Sequence, residues 1–215
     1  MTTRRSRILL LTVLVALIAA LVARAWFSEP AGNPSEVSGE SLVREDSHVL
    51  SQAPAEKAVL VEFLDFECES CRAFYPTVEE LRAEFASELT VVLRYFPIPS
   101  HANAQNAALA VEAASRQGQL EAMYKMMYAT QGEWGEAQES KAQVFRGFAD
   151  ELGLDLAQYD QDVADPATLE RVTRDFDDGL ALGVSGTPTF FLDGEKVTAN
   201  SPEELRAEVE AALDQ

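Results

Sequence analysis

Cys68 and Cys71 are the only cysteines in the 215-residue chain. They stand two residues apart, directly after the apolar, strand-like run Val59 to Phe66. Two thiols at that spacing can close a small disulfide ring at the first turn of a helix. There the unpaired backbone N–H groups and the positive end of the helix dipole favour a thiolate on the first cysteine. Cys68 is thus the candidate nucleophile and Cys71 its resolving partner. Half of a zinc site has the same C-x-x-C form, and so does a plain structural staple. There is no second cysteine pair, and His48 and His101 lack finger-like spacing, so no metal is expected. A staple across so short a loop removes little unfolded-state entropy. Redox exchange is the reading that the spacing favours.

The elements that must hold such a pair can be read around it. Val59-Leu60-Val61-Glu62-Phe63-Leu64-Asp65-Phe66 is β-rich and apolar on both faces, which marks a central strand buried between two layers. Phe74, Val78, Leu81 and Phe85 then recur at helical spacing, giving the next helix one core-facing stripe. Leu89 to Phe96 reads as a second strand, stopped by Pro97-Ile98-Pro99.

Residues 101–183 read as helices throughout. Ala102 to Gln117 ends at Gly118, Leu120 to Tyr128 and Lys141 to Leu152 follow, and Asp165-Pro166 opens the last helix of the group. Met123, Met126 and Met127 read as core rather than as a soft peptide surface. Trp134, between Gly132 and Gly135, is expected in a loop packed on the helical lid. His101 is expected to serve a helix start and stays outside the site. Thr189 to Leu192 and Glu195 to Val197 flank Asp193-Gly194, a hairpin signal, and Ser201-Pro202 opens a final helix.

Acidic residues outnumber basic ones by 36 to 17, for a net charge of −19. Such a chain repels nucleic acid and anionic lipid heads, so no nucleic-acid partner is expected. The first 27 residues hold no acid and carry Arg4, Arg5, Arg7 and Arg24. Ile8 to Ala23 is apolar except for Thr12, and it follows three arginines, the charge arrangement of an export signal with a cytoplasmic N-terminus. Residues 1–27 are therefore expected to be a membrane anchor, with cleavage at Ala23-Arg24-Ala25 and secretion as the alternative. Residues 28–48, rich in Ser, Glu, Gly and Pro, read as a flexible linker, and 49–215 as the folded domain.

Three separated features together resemble one family. They are the phrase Val61 to Cys71, Pro76 five residues beyond Cys71, and Gly183-Val184-Ser185-Gly186-Thr187-Pro188-Thr189-Phe190-Phe191. The arrangement is similar to the DsbA family of thiol-disulfide oxidoreductases, α/β proteins with a thioredoxin-like fold and an inserted helical subdomain, over roughly residues 49–215. The resemblance implies that Glu62, six positions before Cys68, is buried near the disulfide, where a raised pKa would let it exchange a proton with Cys71. It also implies a cis Pro188 packed against the cysteines, with the Thr187 backbone turned to an extended substrate. An exposed or lysine-paired Glu62 and a trans Pro188 are the alternatives. Where well-known DsbA proteins carry a proline and a histidine or aromatic between the cysteines, this chain has Glu69 and Ser70. With Glu67 just before, two carboxylates are expected to disfavour the Cys68 thiolate and give a milder oxidant.

The resemblance therefore implies an extracytoplasmic oxidant that passes the Cys68-Cys71 disulfide to exported, cysteine-containing proteins as they fold. It needs no cofactor, is expected to be a monomer, and would be recycled by a membrane partner of the DsbB or vitamin K epoxide reductase type. Export supports the oxidant direction, because disulfides persist outside the cytoplasm. The alternatives are a reductase or isomerase of the same fold, and a non-catalytic polypeptide-binding module with the cysteines as a staple.

Overall fold

The computed structural model describes residues 42–215; the expected anchor and the linker up to residue 41 lie outside the described residues. Among the described residues no helix is long and apolar enough to cross a membrane. Among the described residues five strands form one sheet in the order β1-β3-β2-β4-β5. They are β1 (His48–Ser51), β2 (Ala58–Leu64), β3 (Leu89–Tyr95), β4 (Thr189–Leu192) and β5 (Glu195–Lys196). β2 lies at the centre, parallel to β3 and antiparallel to β4, and β1 and β5 are antiparallel edge strands. A parallel pair needs a crossover between its strands, and α1 (Glu69–Glu84) supplies it here.

The remaining helices are α2 (Ala104–Ser115), α3 (Leu120–Trp134), α4 (Ala142–Glu151), α5 (Leu156–Ala164), α6 (Pro166–Ala181) and α7 (Pro202–Leu213). α2 to α6 are inserted between β3 and β4. The molecule is thus a mixed α/β thioredoxin-like fold carrying a helical insertion.

The two sides of the strands feed two cores. Leu60 and Leu64 join Phe74, Val78 and Leu81 of α1, Leu205 and Val209 of α7, and much of the insertion. Val61 and Phe63 join Val92, Phe96 and Phe191, with Phe176 of α6 against them. Side chains alternate along a strand, so Glu62 shares the face of Leu60 and Leu64, beneath α1. α6 comes close to the sheet at Gly179, where an added Cβ would lie 2.7 Å from the Phe96 ring.

Two expectations change. The tether read through His48 is shorter: Leu42 is buried, Arg44 pairs with Asp178 at 2.5 Å, and His48 already belongs to β1. Trp134 is not in a loop. It is the last residue of α3, buried, and meets the Phe145 ring edge-on at 4.8 Å. Gly132 likewise lies inside α3, where Arg72 of α1 leaves little room for a side chain, its guanidinium 3.1 Å from an ideal Cβ. Met123 and Met127 are core residues, and Met126 is half-buried.

Candidate dithiol site

Cys68 is the N-cap of α1, with extended backbone, and Cys71 lies in the first turn. Both are free thiols. Cys71 is fully buried, and the Asp65 N–H points at its Sγ from 3.5 Å. The Cys68 thiol reaches the Thr187 carbonyl at 3.3 Å. That contact exists because β4 pairs with β2, opposing Thr189 to Phe63 and Phe190 to Glu62, so the loop before β4 ends beside the start of α1. The Thr187-Pro188 peptide bond in that loop is cis.

The two thiols titrate in opposite directions. The Cys68 thiol is pushed down to about 5. A hydrogen bond from the Cys71 thiol is the main cause, helped by Thr187 and the first backbone N–H groups of the helix, against the opposing effect of burial. Cys71 is pushed well up, first by burial, then by donating that hydrogen bond and by the charges of Cys68 and Glu62. Glu62 is 2 % exposed, its Oε2 has no hydrogen-bond partner, and its carboxyl is pushed up to about 8. Burial is the main cause, with Glu79 and Cys68 adding repulsion. Neither an exposed Glu62 nor a lysine partner fits this environment.

The flanking acids do not set the direction as expected, because the Cys68 thiol is pushed down in spite of them. Glu67 is buried, and its Oε2 accepts the Asn103 N–H at 2.6 Å, so its charge is spent on the start of the insertion. Glu69 and Ser70 are exposed. The Ser70 N–H helps to hold the Cys68 thiolate.

Sequence reasoning left out four residues that build the site. Asp65 is 1 % exposed, yet its carboxylate accepts the N–H groups of Glu67 at 2.8 Å and Ile98 at 3.0 Å and bonds His101 Nδ1 at 2.7 Å. Burial still raises its pKa, against those bonds. His101, set outside the site from sequence, lines the same cavity of about 420 Å³ as Cys68. Gln131 of α3 donates to the carbonyls of Phe66 at 2.7 Å and Cys68 at 2.9 Å, and Asn103 fixes Glu67 as described. One signal was available: an aspartate in an apolar strand must find several partners. Gln131 and Asn103 carried none: the partners of Gln131 are backbone carbonyls far away in sequence, and Asn103 meets Glu67 through its backbone N–H, a group its residue type does not announce.

The geometry is accompanied by similarity. Residues 45–211 match a protein-family model described as thioredoxin. The chain belongs to the thioredoxin family. A thioredoxin-like oxidoreductase from Silicibacter pomeroyi superposes with a TM-score of 0.68 at 26% identity, over 83% of this chain and 99% of that one. BdbD of Bacillus subtilis superposes with a TM-score of 0.66 at 15% identity, over 79% and 94%, and shares the fold. Among curated relatives, the Na(+)/H(+) antiporter NhaA of Herminiimonas arsenicoxydans is 34% identical over 186 residues, which is 86% of this chain and 28% of that protein. The chain thus spans little more than a quarter of the length of that relative. Within the thioredoxin family this member carries its helical insertion between β3 and β4.

Proposed function

We propose that this DsbA-like protein is a thiol-disulfide oxidoreductase acting as an oxidant, which passes the Cys68-Cys71 disulfide to exported, cysteine-containing proteins. The observation that carries this reading is the opposed titration of the pair, Cys68 held down to about 5 and Cys71 pushed up. A stabilised thiolate favours the dithiol state, so the disulfide is readily given away.

In the forward step a substrate thiolate attacks Sγ of Cys68. The Cys68–Cys71 bond breaks, and Cys71 leaves as a thiolate that takes the proton held by Glu62. A second substrate thiolate then attacks the substrate sulfur of the mixed disulfide and releases Cys68 as a thiolate, a good leaving group at its low pKa. The substrate dithiol loses two electrons and the cysteine pair gains them. Thr187 and the cis Pro188 present backbone to an extended substrate at Cys68. Ser70 tunes the pair through its backbone N–H at the start of α1.

Regeneration needs an external oxidant, for which a membrane protein of the DsbB or vitamin K epoxide reductase type is suited. The basic, apolar residues 1–27 support an anchored chain with its N-terminus in the cytoplasm and residues 49–215 outside. The acid excess speaks against a nucleic-acid partner, and the working unit is taken as a monomer.

Equilibration of the pair with glutathione tests the direction. An oxidant gives a potential near or above about −200 mV, whereas about −270 mV would indicate a reductase. Cys68→Ser separates both from a binding module, since only the binder keeps its function.

A further inference from the structure

The cavity beside Cys68 is lined by Glu67, Glu69, Glu136 and Gln138 among others, and by His101 and Ala102. His101 and Ala102 also line a second hollow, of about 370 Å³, whose walls are Pro97, Ile98, Pro99, Leu169, Val172 and Phe176. The two form one groove leading away from the dithiol. Thr187 and Pro188 line neither part, so the groove is separate from the backbone contact at the cis-proline loop.

Its character changes along its length. Pro97 and Pro99 have no N–H to offer, and the Ile98 N–H is already donated inward to Asp65. Leu169, Val172, Thr173 and Phe176 stand at helical spacing on one side of α6, and Leu169 is 43% exposed. The far end is therefore open and mainly apolar, with Gln105 and Thr173 as its polar members. The near end carries the exposed Glu69 and Glu136, and neither lysine nor arginine lines either part. His101, the one group there able to become positive, has its Nδ1 bonded to Asp65.

We infer that this groove selects among substrate polypeptides. It takes an extended segment whose cysteine sits at Cys68, whose neighbouring side chain is positively charged, and whose bulky apolar side chain a few residues away fills the hollow between Pro97–Pro99 and α6. The inference rests on the oxidoreductase reading. Charge opposes charge at the near end, apolar surface covers apolar surface at the far end, and the two ends meet at His101 and Ala102.

The test uses the full, oxidised chain and three synthetic peptides with one cysteine each. The first has Arg beside the cysteine and Phe three residues away, the second has Ser for that Phe, and the third has Glu for that Arg. Disulfide exchange with the first should be about tenfold faster than with the second, the size expected for burying one apolar side chain. It should also exceed the third, by a margin that shrinks as salt is added. Leu169→Asp should bring the Phe-to-Ser ratio to about one, and Glu136→Lys should narrow or invert the Arg-to-Glu ratio. Equal rates for all three peptides with the unaltered chain would overturn the inference. If neither the peptides nor dithiothreitol reduce the pair, the oxidoreductase reading fails instead. Fluorescence anisotropy with serine in place of the peptide cysteine then decides the groove by itself: a retained preference for Phe and Arg supports it, and equal binding overturns it.

Discussion

At the residue scale the site is a distribution of protons over three groups. At neutral pH the Cys68 thiol has lost its proton while Cys71 and Glu62 keep theirs, because one thiol receives a hydrogen bond and the other two groups are buried. Glu62 carries a testable consequence for stability. The folded chain binds its proton more tightly than the unfolded chain, so the folded state is unpenalised below pH 4.5 and loses stability as pH rises toward about 8. Glu62→Gln should remove that slope and leave the protein more stable at pH 8, by roughly 4 kcal/mol. Urea unfolding of both forms between pH 4.5 and 8 checks it. Parallel slopes in the two proteins would show that Glu62 ionises freely. The same substitution should also slow disulfide exchange, since Cys71 would lose its proton donor.

At the element scale the site depends on how closely the insertion lies on the sheet and on the start of α1. Gln131 reaches from α3 to the carbonyls of Phe66 and Cys68, and Asn103, just before α2, holds Glu67. On the other side of the sheet α6 approaches so closely that Gly179 faces Phe96 and Phe63. Phe96 cannot move aside cheaply, because it stacks on Phe176 at 4.6 Å and meets Phe63 edge-on. Gly179→Ala should therefore destabilise the fold by about 1–3 kcal/mol, although alanine is the better helix former. Thermal unfolding measures it. An unchanged or higher melting temperature would mean that α6 can shift outward.

At the scale of the whole molecule, a buried ionic network joins three distant parts of the chain. Arg94 of β3 is fully buried and bonds Asp175 at 2.6 Å, Asp178 at 2.5 Å and the Leu42 carbonyl at 2.5 Å. Arg171 also pairs with Asp175, and Arg44 with Asp178. The network fastens the segment before β1 and the helix α6 to the centre of the sheet. Arg94→Met should cost about 3 kcal/mol or more, because the buried aspartates lose their principal partner. Urea unfolding reads the loss, and a cost below about 1 kcal/mol would mean that Arg171 and Arg44 suffice.

The sequence alone determined the chemistry to look for and the order of the elements. Two cysteines at helical-turn spacing, a two-faced apolar strand, a run of helices and an Asp-Gly hairpin are local signals, governed by backbone preferences and by side-chain periods of 2 and 3.6. Tertiary structure decided the electrostatics. The acids next to Cys68 looked adverse because adjacency was all that the sequence displayed, whereas Glu67 proves to be tied to Asn103 and the Cys68 thiolate to be held by Cys71 and the helix start. For the same reason His101, Gln131 and the Arg94 network could not be read from the sequence. Their partners lie 30 or more positions away in the chain, and only folding brings them together.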